Sequence, residues 1–284
     1  IKFGENDAEK LIADIHTVAK HVLSGLQKTS YPISYKEQQM VAKDYMKLVY
    51  DEDYDPEKRI RASNFIGPSS KTLQLKNICK VNRDSVVPNI RNGYCVTDKA
   101  DGERHMLYIN GQGKIYLISS NMEIIFTGAK TNEDTVFNTL IDGELIKHNK
   151  NGTFINLYAA FDIYFVNRES VRRYGFMPLF ETDNINKTRL YILTQVVNRI
   201  KPVSILDATI KRDRDRRNKD TITEEIPSPI KIQTKRFYPI VNYRDMIEKL
   251  EKEINLINWR TENERREVRK MIILGVNGEL LFVG

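Results

Sequence analysis

Tyr94-Cys95-Val96-Thr97-Asp98-Lys99-Ala100-Asp101-Gly102-Glu103-Arg104 opens the part of the chain whose reading decides the fold. Tyr94 to Thr97 reads as a strand, and so do His105 to Ile109 and Ile115 to Ser119. Asn110-Gly111-Gln112-Gly113 between the last two is a hairpin turn signal. Short strands joined by hairpins rather than by regular helical crossovers predict an α/β (α+β) fold. Its sheets should be twisted, largely antiparallel and flanked by helices. The segment between the first two strands also carries chemistry. A deprotonated amine can attack phosphorus, and an arginine beside it can hold ribose or phosphate oxygens. The plainer alternative is a charged turn.

Further along, Met122 to Phe126, Thr139 to Ile146 and Phe154 to Val166 read as strands, with Asn149 to Gly152 as the turn before the last. The second of these contains Ile141-Asp142-Gly143-Glu144-Leu145. Two carboxylates around a glycine suit Mg²⁺ or a ribose hydroxyl, although Asp-Gly is also a common hairpin turn. The third contains Ala159-Ala160-Phe161-Asp162, where the ring either stacks on a base or belongs to the core. Ile230 to Ile240 is a further strand, and Met271 to Leu274 and Glu279 to Val283 are two more.

Helical periodicity occupies both flanks of this region. Leu11, Ile12, Ile15, Val18, Val22 and Leu26 recur at helical spacing, and a second helix opens at Ser34 with Glu37 in capping-box position. Residues 1–60 are therefore expected to be a helical lead-in packed on the core formed by residues 61–284. Thr188 to Ile200 and Asp245 to Ile257 are amphipathic helices. The mixed charge run Lys211 to Asp220 reads as a solvated segment.

With 284 residues and 40% apolar composition the chain is long enough for one large domain, or one with a smaller companion, and is not disordered. Forty-five Lys and Arg against 38 Asp and Glu leave a net charge of +7, which suits an anionic partner such as nucleic acid or a nucleotide. Two cysteines, Cys79 and Cys95, exclude a disulfide scaffold and fit a reducing compartment. Four histidines without metal-ligand spacing argue against zinc. No apolar run reaches the ~20 residues of a spanning helix, so no membrane partner is expected. The chain opens on Ile1 without an initiator Met, as an excised piece of a longer protein would.

Taken in order, Lys99-Ala100-Asp101-Gly102-Glu103-Arg104, then Asp142-Gly143-Glu144, then Phe161-Asp162 resemble the motif series of the covalent nucleotidyltransferases. This superfamily contains mRNA capping guanylyltransferases and ATP- or NAD-dependent ligases. The wording is most similar to the guanylyltransferase domain of the multifunctional capping enzymes of large DNA viruses. Phe65-Ile66-Gly67-Pro68 resembles their guanine-pocket segment, and Lys235-Arg236-Phe237-Tyr238 their following basic strand. The resemblance spans about residues 60–257.

It implies a nucleotidyltransferase core in which Lys99 is the catalytic nucleophile that forms lysyl-N-GMP. Arg104 would contact the ribose, Glu144 the ribose hydroxyls or a metal ion, Phe161 the guanine ring, and Lys235 the base or phosphates. GTP is the implied substrate, Mg²⁺ (or Mn²⁺) the cofactor, and the 5′-diphosphate end of RNA the acceptor. Flanking triphosphatase and methyltransferase domains and a location in the host cytoplasm or a virion are implied as well. The family's later Asp-Gly-hydrophobic strand is matched poorly, by Asn277-Gly278-Glu279. Its Lys-x-Lys strand and C-terminal OB fold are not seen, so the domain is read as incomplete at its C-terminal end or divergent. Two other readings stand beside capping: an ATP-dependent RNA or DNA ligase, and a non-catalytic nucleic-acid-binding or assembly domain of the same fold.

Overall fold

The structure is a computed structural model that describes residues 5–72, 74–77, 87–90, 93–178, 184–206, 209–211, 222–224, 228–239, 271–275 and 280–283. Three helices, α1 (Glu5–Gln27), α2 (Tyr35–Tyr50) and α3 (Arg189–Ile200), accompany fifteen strands among these residues. The strands are β1 (Lys71–Thr72), β2 (Tyr94–Asp98), β3 (Glu103–Ile109), β4 (Lys114–Ser119), β5 (Ile124–Lys130), β6 (Thr139–His148), β7 (Phe154–Val166), β8 (Glu169–Ser170), β9 (Val203–Ser204), β10 (Thr209–Lys211), β11 (Ile222–Glu224), β12 (Lys231–Thr234), β13 (Tyr238–Pro239), β14 (Met271–Gly275) and β15 (Leu280–Val283).

The large sheet runs β12-β7-β6-β3-β4-β5-β9, with β8 beside β7, and the small sheet runs β1-β15-β14-β2-β13. Pairing is antiparallel except for β12 on β7 and β1 on β15, as the hairpin-rich sequence predicts. A separate two-stranded ribbon joins β10 and β11.

Period-2 alternation explains why the central strands read as nearly continuous apolar runs. On β3, Leu107 and Ile109 join the core under α3, while Met106 and Tyr108 join the core under α2. Both sheet faces are covered there, so both sets of alternate side chains are apolar. Thr188 caps α3 by accepting from the Tyr191 amide, and the helix buries Leu193, Val196 and Ile200. On α2, Val41, Tyr45, Met46 and Val49 are buried. Ser34 caps this helix by accepting from the Glu37 amide. Glu37 does not complete the reciprocal box; its carboxylate accepts from Lys114 Nζ and Tyr116 Oη, both at 2.8 Å.

Three expectations are corrected. The lead-in is helical, but only α2 packs on the core: Leu11, Ile12, Ile15, Val18, Val22 and Leu26 of α1 are exposed. Ile230 to Ile240 is not one strand. It breaks at Lys235–Phe237, with β12 in the large sheet and β13 in the small one. The strand expected at Met122 begins two residues later and runs on to Lys130. The expected helix Asp245 to Ile257, most of the Lys211 to Asp220 run, Cys79 and Asn277-Gly278-Glu279 lie outside the described residues. No helix among the described residues is long and apolar enough to cross a membrane.

Candidate active site

The chain crosses between the two sheets twice at one place. Residues 99–102 lead from β2 in the small sheet to β3 in the large one, and residues 235–237 lead from β12 in the large sheet to β13 in the small one. A cleft of about 650 Å³ opens there, lined by Lys99, Asp101, Ile146, His148, Gln233, Lys235 and Arg236 among others. Strand register accounts for its wall. Glu144 lies opposite Ala159 and Ile146 opposite Leu157, while Gln233 lies beside Ala159 and Lys231 beside Leu157. Cross-strand partners share a face, so Glu144, Ile146, Leu157, Ala159, Lys231 and Gln233 all look the same way.

Lys99 stands just beyond the end of β2, exposed, with Nζ 3.4 Å from the Ala100 carbonyl oxygen. Gly102 permits the tight passage into β3: a β-carbon there would come within 2.8 Å of the Leu145 carbonyl oxygen. Lys235 is buried, and its Nζ donates to the Asp98 carbonyl at 2.5 Å. Burial lowers the Lys235 pKa below the ordinary lysine value, and Lys99 pushes in the same direction, against the pull of Asp98 and Glu144.

Glu144 faces this pair of lysines. Burial raises its pKa above the usual carboxylate range even though Lys235 and Lys99 pull it down. Its Oε2 is buried and has no hydrogen-bond partner among the described residues. A buried carboxylate oxygen without a donor is a place for a ligand hydroxyl or a cation.

Arg104 is built into the scaffold beside the cleft. Its Nε and Nη2 bind both oxygens of the fully buried Asp142 at 3.0 and 2.5 Å, and Nη1 donates to the Pro68 carbonyl at 2.6 Å. Burial disfavours the guanidinium charge, but Asp142 overrides it and raises the Arg104 pKa. Tyr164 Oη donates to the same carboxylate at 2.7 Å. Asp142 is thus committed to the scaffold, and of the two carboxylates in Asp142-Gly143-Glu144 only Glu144 is left for a ligand. Three of the five guanidinium N–H groups are used in these bonds, which leaves two for other acceptors.

Phe161 owes its direction to a bulge. Between the pairs Asp142–Asp162 and Gly143–Ala160, β7 has one residue more than β6, and Phe161 is that residue. The ring, 4% exposed, packs with Cys95 and Phe176 in the cluster that joins the two sheets. The Arg104 guanidinium carbon lies 5.6 Å from its centroid and 5.5 Å from that of Phe65, so the cation sits near both rings.

Several supporting residues carried no local signal. Tyr45 on α2 is fully buried; its hydroxyl donates to the Asn64 carbonyl at 3.0 Å and accepts from the Ile66 amide at 3.1 Å. It thereby holds the loop that presents Phe65 and Pro68 to Arg104. Asp162, next to Phe161, is bound by Arg189 at 2.8 and 3.1 Å in a pair that is almost wholly buried. It fixes the first turn of α3 to β7. The structure brings Lys99 and Lys235 to one cleft; Glu144 lies within electrostatic reach of both and of Arg104, and the Phe161 ring lies beside Arg104.

Comparison with known proteins agrees with this geometry. A family model described as the catalytic domain of mRNA capping enzymes matches residues 47–258, and the chain belongs to that family. It is 34% identical over 155 residues, 54% of its length, to a probable mRNA-capping enzyme of Acanthamoeba polyphaga mimivirus. It is 31% identical over 107 residues, 36% of its length, to an mRNA-capping enzyme of Danio rerio. The matches cover only 12% and 17% of those two proteins.

Proposed function

We propose that this domain is an mRNA guanylyltransferase within a larger capping enzyme and that Lys99 is its nucleophile. The reading is carried by one observation: the lysine of the motif series stands at the crossover between the sheets, near Glu144, whose buried Oε2 has no hydrogen-bond partner among the described residues. The deprotonated Lys99 Nζ attacks the α-phosphorus of GTP. A P–N bond forms, the bond to the bridging oxygen breaks, pyrophosphate leaves with the electron pair, and Nζ gives up one proton to solvent or the leaving group. In the second step a terminal oxygen of the RNA 5′-diphosphate attacks the same phosphorus. The P–N bond breaks and Nζ regains a proton.

The remaining residues position and neutralise. Lys235 and the unused N–H groups of Arg104 supply positive charge toward the phosphates, where negative charge grows in the transition state. Glu144 Oε2 fits either a ribose hydroxyl or a single protein carboxylate for Mg²⁺. A magnesium ion in such sites takes its other ligands from water and phosphate oxygens, and it would neutralise the triphosphate. Phe161 and Phe65 border the base site; contact of Phe161 with guanine requires its cover to shift, since the ring is 4% exposed. Family membership favours GTP and capping over the ligase reading, and the assembled cleft favours catalysis over a purely structural role.

The test is covalent labelling of the intact protein with α-³²P-labelled GTP and a divalent cation. Transfer of label to protein, stable in alkali, labile in acid and lost in both Lys99→Ala and Lys99→Arg, is the expected result. A labelled Lys99→Ala protein refutes the assignment, and equal labelling by ATP and GTP shifts the reading to a ligase.

A further inference from the structure

The cleft continues past the reacting residues. From Glu144 to His148 along β6 is about 13 Å at the strand rise of ~3.3 Å per residue. Its far end is formed by His148, Asn149 and Lys150, which line the same cleft as Lys99. None of these residues belongs to the proposed nucleotide site.

A second bulge gives this end its character. Ile146 pairs with Leu157 but His148 with Phe154, so β7 advances three residues while β6 advances two. The backbone takes up the extra residue at Asn156, whose φ is +42° and whose side chain donates to the Pro229 carbonyl. The bulge restores Phe154 to the face of His148, Leu157 and Ala159 instead of the opposite one. The two rings meet edge to face with centroids 5.6 Å apart, and Phe154 is 65% exposed. A solitary exposed phenylalanine is unremarkable. This one is held by a bulge beside an imidazole, on the face that leads to the nucleophile.

Among the described residues cations predominate in the lining. The cleft lining includes the cations Lys99, Lys150, Lys235 and Arg236 and the carboxylates Asp98 and Asp101. Both carboxylates belong to the Lys99 end. Exposed Lys231 of β12 lies in register with Leu157 on the same face. Aromatic rings flanked by cations along an open groove are the chemistry of single-stranded nucleic acid binding: the rings stack bases without regard to identity and the cations follow the backbone.

Resting on the guanylyltransferase reading, we propose that the β6–β7 hairpin and β12 form the docking surface for the RNA acceptor. Phe154 and His148 stack the leading bases, and Lys150 and Lys231 accompany the backbone, so that the 5′-diphosphate arrives at Lys99.

The two half-reactions separate this proposal from the one beneath it. The intact protein, its Phe154→Ala and Phe154→Trp variants, and a Lys150→Ala/Lys231→Ala double variant are each assayed twice: for lysyl-GMP formation without RNA, and for GMP transfer to a ten-nucleotide 5′-diphosphate RNA. Adduct formation should stay within twofold of wild type in all of them. Transfer by Phe154→Ala and by the double variant should fall about tenfold at low RNA through KM, with Phe154→Trp close to wild type. Transfer to a nucleoside diphosphate, which lacks following bases, should not change with Phe154. 2-Aminopurine in the leading positions should be quenched by wild type and not by Phe154→Ala. Normal adduct formation with unchanged RNA KM in Phe154→Ala overturns the docking proposal alone. Absence of adduct in the wild type overturns the underlying reading and the docking proposal with it.

Discussion

Lys235 Nζ donates to the main-chain carbonyl of Asp98 at 2.5 Å and so ties one crossover between the sheets to the other. The lysine that the sequence places near the base or phosphates is also the brace of the segment that carries Lys99. Its chain is further held by its own amide, which donates to the Ala160 carbonyl at 2.8 Å. One residue therefore joins β7, β12 and the end of β2.

Lys235→Met should separate these two roles. A hydrogen bond to a charged group contributes about 1.5–3 kcal/mol, but removing a lysine whose charge burial disfavours offsets part of that. A net loss of about 1 kcal/mol in urea unfolding is expected, together with at least a tenfold slower lysyl-GMP formation. An unchanged rate with reduced stability would confine Lys235 to bracing.

The Arg104–Asp142 pair should be far more costly to break. Asp142 is fully buried and receives bonds from Arg104 and Tyr164. Asp142→Ala strands a guanidinium that is only partly exposed, and loss of one partner of a buried pair costs ~3–5 kcal/mol. The lower end of that range is expected, measured by denaturant unfolding. Arg104→Lys should not restore nucleotide binding, because an ammonium cannot make the forked contact to Asp142 and also reach the Pro68 carbonyl.

How far the sequence discloses this site follows from the range of each interaction. The strand pattern around Lys99 and the order of the motifs are local; Lys99 and Lys235 line one cleft, and Glu144 lies close enough to feel both charges. The bulge at Phe161 is not visible, because an extra residue is defined only against the partner strand. Nor is the commitment of Asp142 to Arg104, two residues 38 apart in sequence. Tyr45 and Arg189 act on loops and strands far along the chain, and nothing in their own neighbourhoods marks them. The break of Ile230 to Ile240 falls at the polar run Thr234-Lys235-Arg236, which interrupts the apolar–polar alternation and is its one local trace. On α1 the periodicity predicts the helix but not its exposure, since amphipathicity says which side is apolar and not what covers it.

Gly67 should prove sensitive without being catalytic. A β-carbon there would lie 2.6 Å from Arg104 Nη2 and 2.5 Å from a ring carbon of Phe65. Gly67→Ala must displace the guanidinium or the ring. The expected outcome is a rise of about tenfold in the Kd for GTP, a loss of about 1.4 kcal/mol that lies within the usual range for overpacking. Isothermal titration of wild type and variant checks this; equal affinity would place the nucleotide away from Phe65.

Glu144→Gln should stabilise the protein while impairing it. Burial raises the Glu144 pKa, and Oε2 has no donor, so above that raised pKa the folded state holds a charge it disfavours relative to the unfolded chain. The penalty is present at neutral pH and disappears as pH falls through the raised value, where wild-type Glu144 takes up a proton in the folded state. Glutamine never carries the charge. Partial exposure keeps the effect small, so a Tm higher by about 1–3 °C at pH 7 is expected. The two proteins should converge as the pH is lowered toward 4. Over the same comparison lysyl-GMP formation at pH 7 should fall by roughly 10²-fold, the usual result of losing a well-placed electrostatic contact. Thermal scans across pH alongside single-turnover labelling give both readouts. A Tm that falls at neutral pH would show that Lys235 and Lys99 already satisfy Glu144, and that its carboxylate is a structural partner of the two lysines instead of a ligand for ribose or metal.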